Sequence, residues 1–297
     1  MKTLYVKKNF LGIGEKHSNY KNSKVVIISS PLEKTVSYGK GTAKGPKAIL
    51  EASHYVEFYD EEFDRELCFE IGIATLEALK LQKLNHLKVL NKIYEAVKKV
   101  LNDDKFPIIF GGEHSISSAC VRAFLEKYND LTILQFDAHS DLRDSYEGSK
   151  FSHASVMKRI YEMTKNIVQV GIRAQCKEES DLIKNENINC FYMRDIRIGK
   201  LGENWIGKII DKCLDNVYIT FDVDAFDPSL FPSTGTPEPG GLFWDETVSL
   251  IKELGRRKKI VGFDIVETAP KNKNDYSSFI AAKLCYKILN CAFQNKG

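Results

Sequence analysis

The stretch at residues 131–144, LTILQFDAHSDLRD, decides the reading of the chain, because an apolar run ends there in three alternating metal-ligand residues, Asp137, His139 and Asp141. Residues 131–136 are short, apolar and β-prone, the pattern of a strand buried on both faces of a parallel sheet. Side chains two apart in an extended backbone point the same way. Asp137 and His139 therefore converge, and Asp141 joins them if the extended geometry continues. Such a cluster can hold a cation, and the competing reading is a solvated loop rich in Asp and His.

Outward from this stretch, strands and helices alternate. Apolar β-prone runs at 24–30, 107–110, 131–136, 167–172, 188–193, 217–221 and 260–266 predict strands, with a further short one in CFEIGIA at 68–74. Between them, helical spacing predicts helices over about 46–55, 84–101, 115–127, 153–164, 177–186, 203–214, 245–255 and 277–293. The 84–101 pattern is the clearest, with Leu87, Leu90, Ile93, Tyr94, Val97 and Leu101 on one stripe. Strands alternating with helices of this length imply right-handed crossovers, hence an α/β fold: three αβα layers around a largely parallel sheet of about eight strands. No linker or fixed-period repeat interrupts it, so residues 1–297 read as one domain. The glycine-rich SYGKGTAKGP at 37–46 fits neither common phosphate-loop pattern and reads as a shaped loop at the sheet's edge.

In open parallel sheets, ligands bind beyond the carboxyl ends of the strands. Four strand ends carry chemistry here. Strand 107–110 runs into GGEHS with His114, strand 131–136 into DAHSD, strand 217–221 into DVDAFDP with Asp222 and Asp224, and strand 260–266 into Glu267. Random placement would scatter acids and histidines over helix surfaces, so their gathering at one edge disfavours the solvated-loop reading. Four carboxylates and two imidazoles at one point cannot all stay charged without cations. Two divalent ions would neutralise them, and a donor set dominated by carboxylate oxygen suits manganese better than zinc. Two such ions about 3.5–4 Å apart can activate water for hydrolysis.

Composition excludes other classes. A formal charge of +3 over 297 residues, with lysines and acids interspersed, calls for no nucleic acid. The seven cysteines are odd in number and form no C-x-x-C pair, which fits a reducing cytoplasm rather than a disulfide framework. No apolar run has membrane-spanning length, and MKTLYVKKNF has no signal-peptide core.

GGEHS (111–115), DAHSDLRD (137–144), SHAS (152–155), DVDAFDPS (222–229) and TGTPEPGGL (234–242) together resemble the ureohydrolase family of arginases and agmatinases. The match covers most of the chain, and SYGKGT, DLRDSYEGSKFSHAS and TGTPEPGGL lean to the agmatinase branch. The resemblance implies an arginase-like fold and two Mn2+ ions. His114, Asp137, Asp141 and Asp222 would hold one, and Asp137, His139, Asp222 and Asp224 the other. A hydroxide between them would attack the guanidinium carbon of agmatine, giving urea and putrescine. The resemblance makes His153 the proton-shuttling catalytic histidine and Glu267 the carboxylate that holds the guanidinium. It also implies a homo-trimer or homo-hexamer. Asp227 before Pro228 reads as a turn, Glu113 should point away from His114, and Glu238 is a candidate cavity residue.

The same chemistry serves aminopropyl-agmatine, guanidinobutyrate, arginine and guanidine. An arginine site should offer cations or hydroxyls to the α-carboxylate, whereas Arg143 and its acidic neighbours give no simple charge argument, so agmatine rests on the resemblance. A two-metal phosphoesterase usually adds an Asn ligand that GGEHS lacks. A silent scaffold has no need of six coordinating residues.

Overall fold

The computed structural model describes residues 2–294. Eight strands form one sheet: β1 (Val25–Ser30), β2 (Ile73–Thr75), β3 (Phe106–Gly111), β4 (Leu131–Phe136), β5 (Ile167–Ile172), β6 (Asn189–Tyr192), β7 (Asn216–Asp222) and β8 (Lys259–Val266). Their order is β2-β1-β3-β8-β7-β4-β5-β6 and every pairing is parallel. Eleven α-helices flank it among the described residues: α1 (Glu15–Ser18), α2 (Gly45–Ser53), α3 (Leu67–Ile71), α4 (His86–Asn102), α5 (Ser117–Leu125), α6 (Val156–Met163), α7 (Lys177–Asn185), α8 (Met193–Arg197), α9 (Trp205–Ile210), α10 (Trp244–Arg257) and α11 (Tyr276–Ala292). None is long and apolar enough to cross a membrane.

Alternation along each strand divides the core in two. Val25 and Ile27 of β1, Leu134 and Phe136 of β4, and Ile219 and Phe221 of β7 pack toward α2, α9, α10 and α11. Val26, Ile28, Ile133 and Tyr218 pack on the opposite side, toward α4, α5 and α6. Strands apolar on both faces are what a doubly covered parallel sheet requires. The three-layer architecture therefore follows from the sequence as expected.

Three stretches differ from the sequence reading. CFEIGIA is not one strand: residues up to Ile71 form α3, and only Ile73–Thr75 pairs with β1. Leu67, Cys68 and Ile71 are buried at helical spacing, and Gly72 at φ 66° ends the turn in the left-handed region open to glycine. Similarly, INCFYM ends as a strand at Tyr192, with Met193 opening α8, and the helix expected over 203–214 shortens to α9.

What matters for function is the sheet's centre. From β3 the chain skips two places to β4, and β8 and β7 later fill the gap. The strands adjacent there, β3, β8, β7 and β4, are the four whose ends carry acids and histidines. Gly112 makes the turn out of β3 possible: a Cβ there would lie 1.8 Å from the Leu32 carbonyl oxygen. We expect Gly112→Ala to cost about 1–3 kcal/mol or more in urea unfolding, by forcing that backbone apart; wild-type stability would contradict this account of the turn.

Candidate metal and active centre

The strand register brings the site together. Gln135 of β4 pairs with Thr220 of β7, and Thr220 with Asp264 of β8, so positions two residues further on, Asp137 and Asp222, emerge side by side at the carboxyl edge. Asp137 and His139 converge as alternation predicts, with His139 Nδ1 3.6 Å from Asp137 Oδ1 and 2.9 Å from Asp224 Oδ2. The extended geometry does not continue to Asp141. That residue lies at φ 52°, in the left-handed region unusual for a non-glycine residue, and its carboxylate swings round to His114. Glu267, at φ 62°, is the second such residue at the site.

His114 is fully buried and lies at the centre. Its Nδ1 is 3.1 Å from Asp137 Oδ2, 3.1 Å from Asp141 Oδ2 and 3.3 Å from Asp222 Oδ2, yet it has no hydrogen-bond partner. The other ring nitrogen, Nε2, is 2.9 Å from Thr220 Oγ1, whose hydroxyl donates to Asp264 Oδ1 at 2.7 Å. With Thr220 committed as donor to Asp264, Nε2 carries the hydrogen and Nδ1 turns a lone pair toward three carboxylates. A lone pair facing three anions is repulsive unless a cation lies between them. The orphaned atom and the oxygen-rich donor set thus fit a divalent ion, with the His114–Thr220–Asp264 chain orienting the ligand from behind. Two groups of donors close enough to share an ion are present, His114–Asp137–Asp222 and Asp137–His139–Asp224, with Asp137 common to both. The third acidic group, Asp60, Glu61 and Glu62, is already met by Lys287 at 2.7 Å from Asp60 and 3.0 Å from Glu62.

The titration of these groups records the same conflict. Although burial opposes it, a proton placed on Nδ1 would bond to Asp137, Asp141 and Asp222, and this lifts His114 well above the ordinary histidine range: without a metal ion, the proton takes the cation's place. His139 is pushed up to about 12 against its own burial, by the Asp224 charge and its bond to Asp137. Burial and the neighbouring Asp137 raise Asp141 to about 7, and burial with Asp224 and Asp137 raises Asp222 well above the ordinary carboxylate range. Asp137 alone goes down, because its bonds to the two imidazoles outweigh burial.

Glu267 accepts the His114 amide at Oε1 over 2.6 Å, and burial, with Glu113 and Asp224 nearby, raises its pKa well above the carboxylate range. His153 opens the helical turn before α6, half-buried, and burial lowers its pKa, leaving the ring neutral near pH 7. Both line a cavity of about 270 Å³ together with His139, Asp141, Asp222 and Asp224. The larger groove, about 940 Å³ along α2 and the start of α11, contains none of these residues.

The remaining sequence candidates separate cleanly. Glu113 points away from His114 as expected, and accepts bonds from Thr35 and Ser115. Asp227 forms a turn, accepting from Ser229, Gly240 and Gly241. Glu238 lies at the cavity wall, its Oε1 4.0 Å from His139 Nε2. Arg143 is 3.8 Å from Glu179, so the cation that complicated the charge argument has an acid partner.

Sequence reasoning missed the layer beneath the acids. Gln169, Gln135, Thr220 and Asp264 form a continuous polar row across β5, β4, β7 and β8. Gln169 Nε2 donates to Gln135 Oε1, and Gln135 Nε2 donates to Asp137 Oδ2 at 2.7 Å. A polar residue inside each otherwise apolar strand was the available signal. Arg173 was also missed: it donates to the Asp224 and Glu238 carbonyls, both at 2.7 Å, and ties the 234–242 loop to the acids.

A parallel α/β sheet with a carboxylate–histidine cluster and a positioned acid at its carboxyl edge defines a hydrolase-type centre. The pattern of the arginase family matches residues 23–291, and the chain belongs to that family. It is 38% identical over 278 residues to the N(1)-aminopropylagmatine ureohydrolase of Synechocystis, covering 92% of this chain and 90% of that protein. Against the agmatinase of Pyrococcus horikoshii the identity is 34% over 270 residues, covering 91% and 92%. The structure of the agmatine ureohydrolase of Thermoplasma volcanium superposes with a TM-score of 0.82 at 30% identity, covering 99% of this chain and 95% of that one. The enzyme class is thereby a hydrolase of guanidino compounds.

The signs of the pKa shifts give a test. The proton that folding leaves on Asp141 is lost as pH rises from its ordinary 3.8 through about 7, and the stabilisation from charged His139 is lost between 6.5 and about 12. The depressed Asp137 contributes stability above 3.8, outside this window. We therefore expect metal-free protein to lose thermal stability from pH 6 to pH 9, and added divalent ion to raise Tm more at pH 8 than at pH 6. Equal Tm gains at both pH values would show that the ion does not bind these groups.

Proposed function

We propose that the whole chain is one ureohydrolase domain that cleaves agmatine to urea and putrescine at a two-manganese centre. The observation carrying this reading is the buried, unpartnered Nδ1 of His114 facing three carboxylates, beside Glu267 in the same cavity. His114, Asp137, Asp141 and Asp222 would hold one ion, and Asp137, His139, Asp222 and Asp224 the other. When bound, the ions neutralise the acids and activate water as a nucleophile at neutral pH.

The protein's own residues do the rest. The His114 amide pins Glu267 Oε1, which leaves the other oxygen to accept from a guanidinium N–H and orient the planar group. A guanidinium cation also returns Glu267 to its charged form, offsetting the burial that raises its pKa. His153 has Nδ1 engaged by neighbours at 3.2 and 3.3 Å, so Nε2 is the atom free to take a proton from the attacking water and pass it to the departing amine. Carbon–nitrogen cleavage then leaves urea and a protonated amine.

N(1)-aminopropylagmatine is the second reading, favoured by the similarity to the Synechocystis enzyme. A trimer or hexamer and a cytoplasmic location belong to the same proposal; seven unpaired cysteines suit a reducing compartment.

Urea release from manganese-loaded protein tests the substrate with a panel of agmatine, aminopropylagmatine, guanidinobutyrate, arginine and guanidine. Agmatine should give the highest kcat/KM; a different winner corrects the substrate, and no urea from any removes the ureohydrolase reading. Asp137→Ala should take the bound metal, counted by elemental analysis, from two ions per chain to less than one; two retained ions would remove Asp137 as the shared ligand. His153→Ala should keep both ions and lower kcat about 10²–10⁴-fold; an unchanged kcat would return His153 to a structural role.

A further inference from the structure

Glu113 is fully buried beside the metal-facing His114, yet none of its bonds reach the cluster. Its carboxylate accepts four hydrogen bonds. The amides of Lys34 and Thr35 donate to Oε2, the latter at 2.7 Å, and the hydroxyls of Ser115 and Thr35 donate to Oε1 at 2.7 and 2.9 Å. A buried acid with this many donors is a fixed acceptor, and an ionised carboxylate can do nothing but accept. The single hydroxyl hydrogen of Thr35 is therefore committed to Glu113.

What remains on Thr35 Oγ1 is two lone pairs, and His153 supplies two donors. The His153 amide donates to Oγ1 at 3.0 Å, and the ring Nδ1 lies 3.2 Å from the same oxygen. Because Thr35 has no hydrogen left to give, that ring contact is a hydrogen bond only if Nδ1 carries the proton. The other tautomer would set two lone pairs against each other. Ser152 Oγ, at 3.3 Å from Nδ1, can accept a share of the same N–H. The Tyr146 ring meets His153 edge-on at 5.9 Å and limits its rotation.

We propose that Glu113 and Thr35 are positioning residues for the reaction, a carboxylate–hydroxyl–imidazole relay that fixes His153 as the Nδ1–H tautomer with its Nε2 lone pair facing the cavity. This rests on the reading of His153 as the proton carrier. The relay crosses three elements: Glu113 leaves β3, Thr35 lies in the segment after β1, and His153 precedes α6. The loop after β1 thus has a chemical task as well as a structural one. Its bond to Glu113 sets the side on which the histidine keeps its proton.

The tautomer can be read directly, without turnover. In protein loaded with a diamagnetic divalent ion and labelled with 15N-histidine, at pH 8, two-bond 1H–15N spectra distinguish the two nitrogens of each of the six histidines, and His153→Asn assigns the signal. Wild type should give protonated Nδ1 and bare Nε2 for His153; the reverse would overturn the proposal. Thr35→Val keeps the side-chain volume but offers no acceptor, so it should yield a mixture or the Nε2–H form, while Thr35→Ser should restore the wild-type spectrum. In manganese-loaded enzyme, Thr35→Val should lower kcat at least about 10-fold with KM and metal content within 2-fold, and Thr35→Ser should recover most of it. Glu113→Gln, which can turn an amide donor toward Thr35 and free its hydroxyl for Nδ1, should shift the tautomer the same way. A Thr35→Val enzyme with wild-type kcat and spectrum removes the relay. If wild type releases no urea from any guanidino compound, the ureohydrolase reading fails, and the spectra alone then decide the relay.

Discussion

Four buried carboxylates and two imidazoles share a few ångströms at one edge of the sheet, and the surrounding structure is arranged around the cost of that charge. The conflict is sharpest at His114, whose Nδ1 is buried and unpartnered between Asp137, Asp141 and Asp222. Burial alone would favour neutral acids and a neutral ring. The shifts instead run in opposite directions within one cluster, with Asp137 held down and Asp222 driven up. Such a charge distribution is stable only with cations, by protonation of the histidines or by metal. The proposed two-metal centre is the second solution.

Holding anions so close demands rigidity, and the sheet provides it in layers. Above the apolar core lies the row Gln169, Gln135, Thr220 and Asp264, hydrogen-bonded sideways and upward. Tyr218 closes it from below by donating to Asp264 at 2.6 Å. Next come the acids and His114, and then the loops that shape the cavity. Arg173 pins the 234–242 loop to the Asp224 backbone, and Glu113 pins the segment after β1. Two of the non-glycine residues in the left-handed region, Asp141 and Glu267, lie in this upper layer. Strain of that kind, of order 1–3 kcal/mol per residue, persists where neighbours over-determine the conformation. Asp141 is held through its carbonyl by the amides of Met157 and Lys158, and Glu267 through its own amide by Gly112.

The cavity is walled by both signs of charge. Arg143 is met by Glu179, which also receives the amides of Leu142 and Cys176. Glu238 faces His139, its Oε1 4.0 Å from Nε2.

Much of this was legible in the chain itself. Periodicity gave the alternating elements, both-face apolar strands gave the parallel sheet, and the two-residue spacing of D-x-H and D-x-D gave the convergent acids, because both patterns are local properties of an extended backbone. Family resemblance added His153, which no spacing rule singles out, and assigned a role to Glu267, already marked by its place at the end of strand 260–266. Where local pattern was ambiguous it misled: CFEIGIA has strand-like composition but folds as α3, a turn and a three-residue strand. The sequence could not supply the contacts between distant segments. The Thr220–Asp264 bond spans 44 residues, the Glu113–Thr35 bond 78 and the Thr35–His153 contact 118. Such pairings depend on strand order and register, which arise from packing the whole sheet. The sequence by itself thus determined which groups reach the sheet's edge. Only the tertiary structure decided which nitrogen of each histidine is left free to act, because that depends on the neighbour that three-dimensional packing places against the other nitrogen.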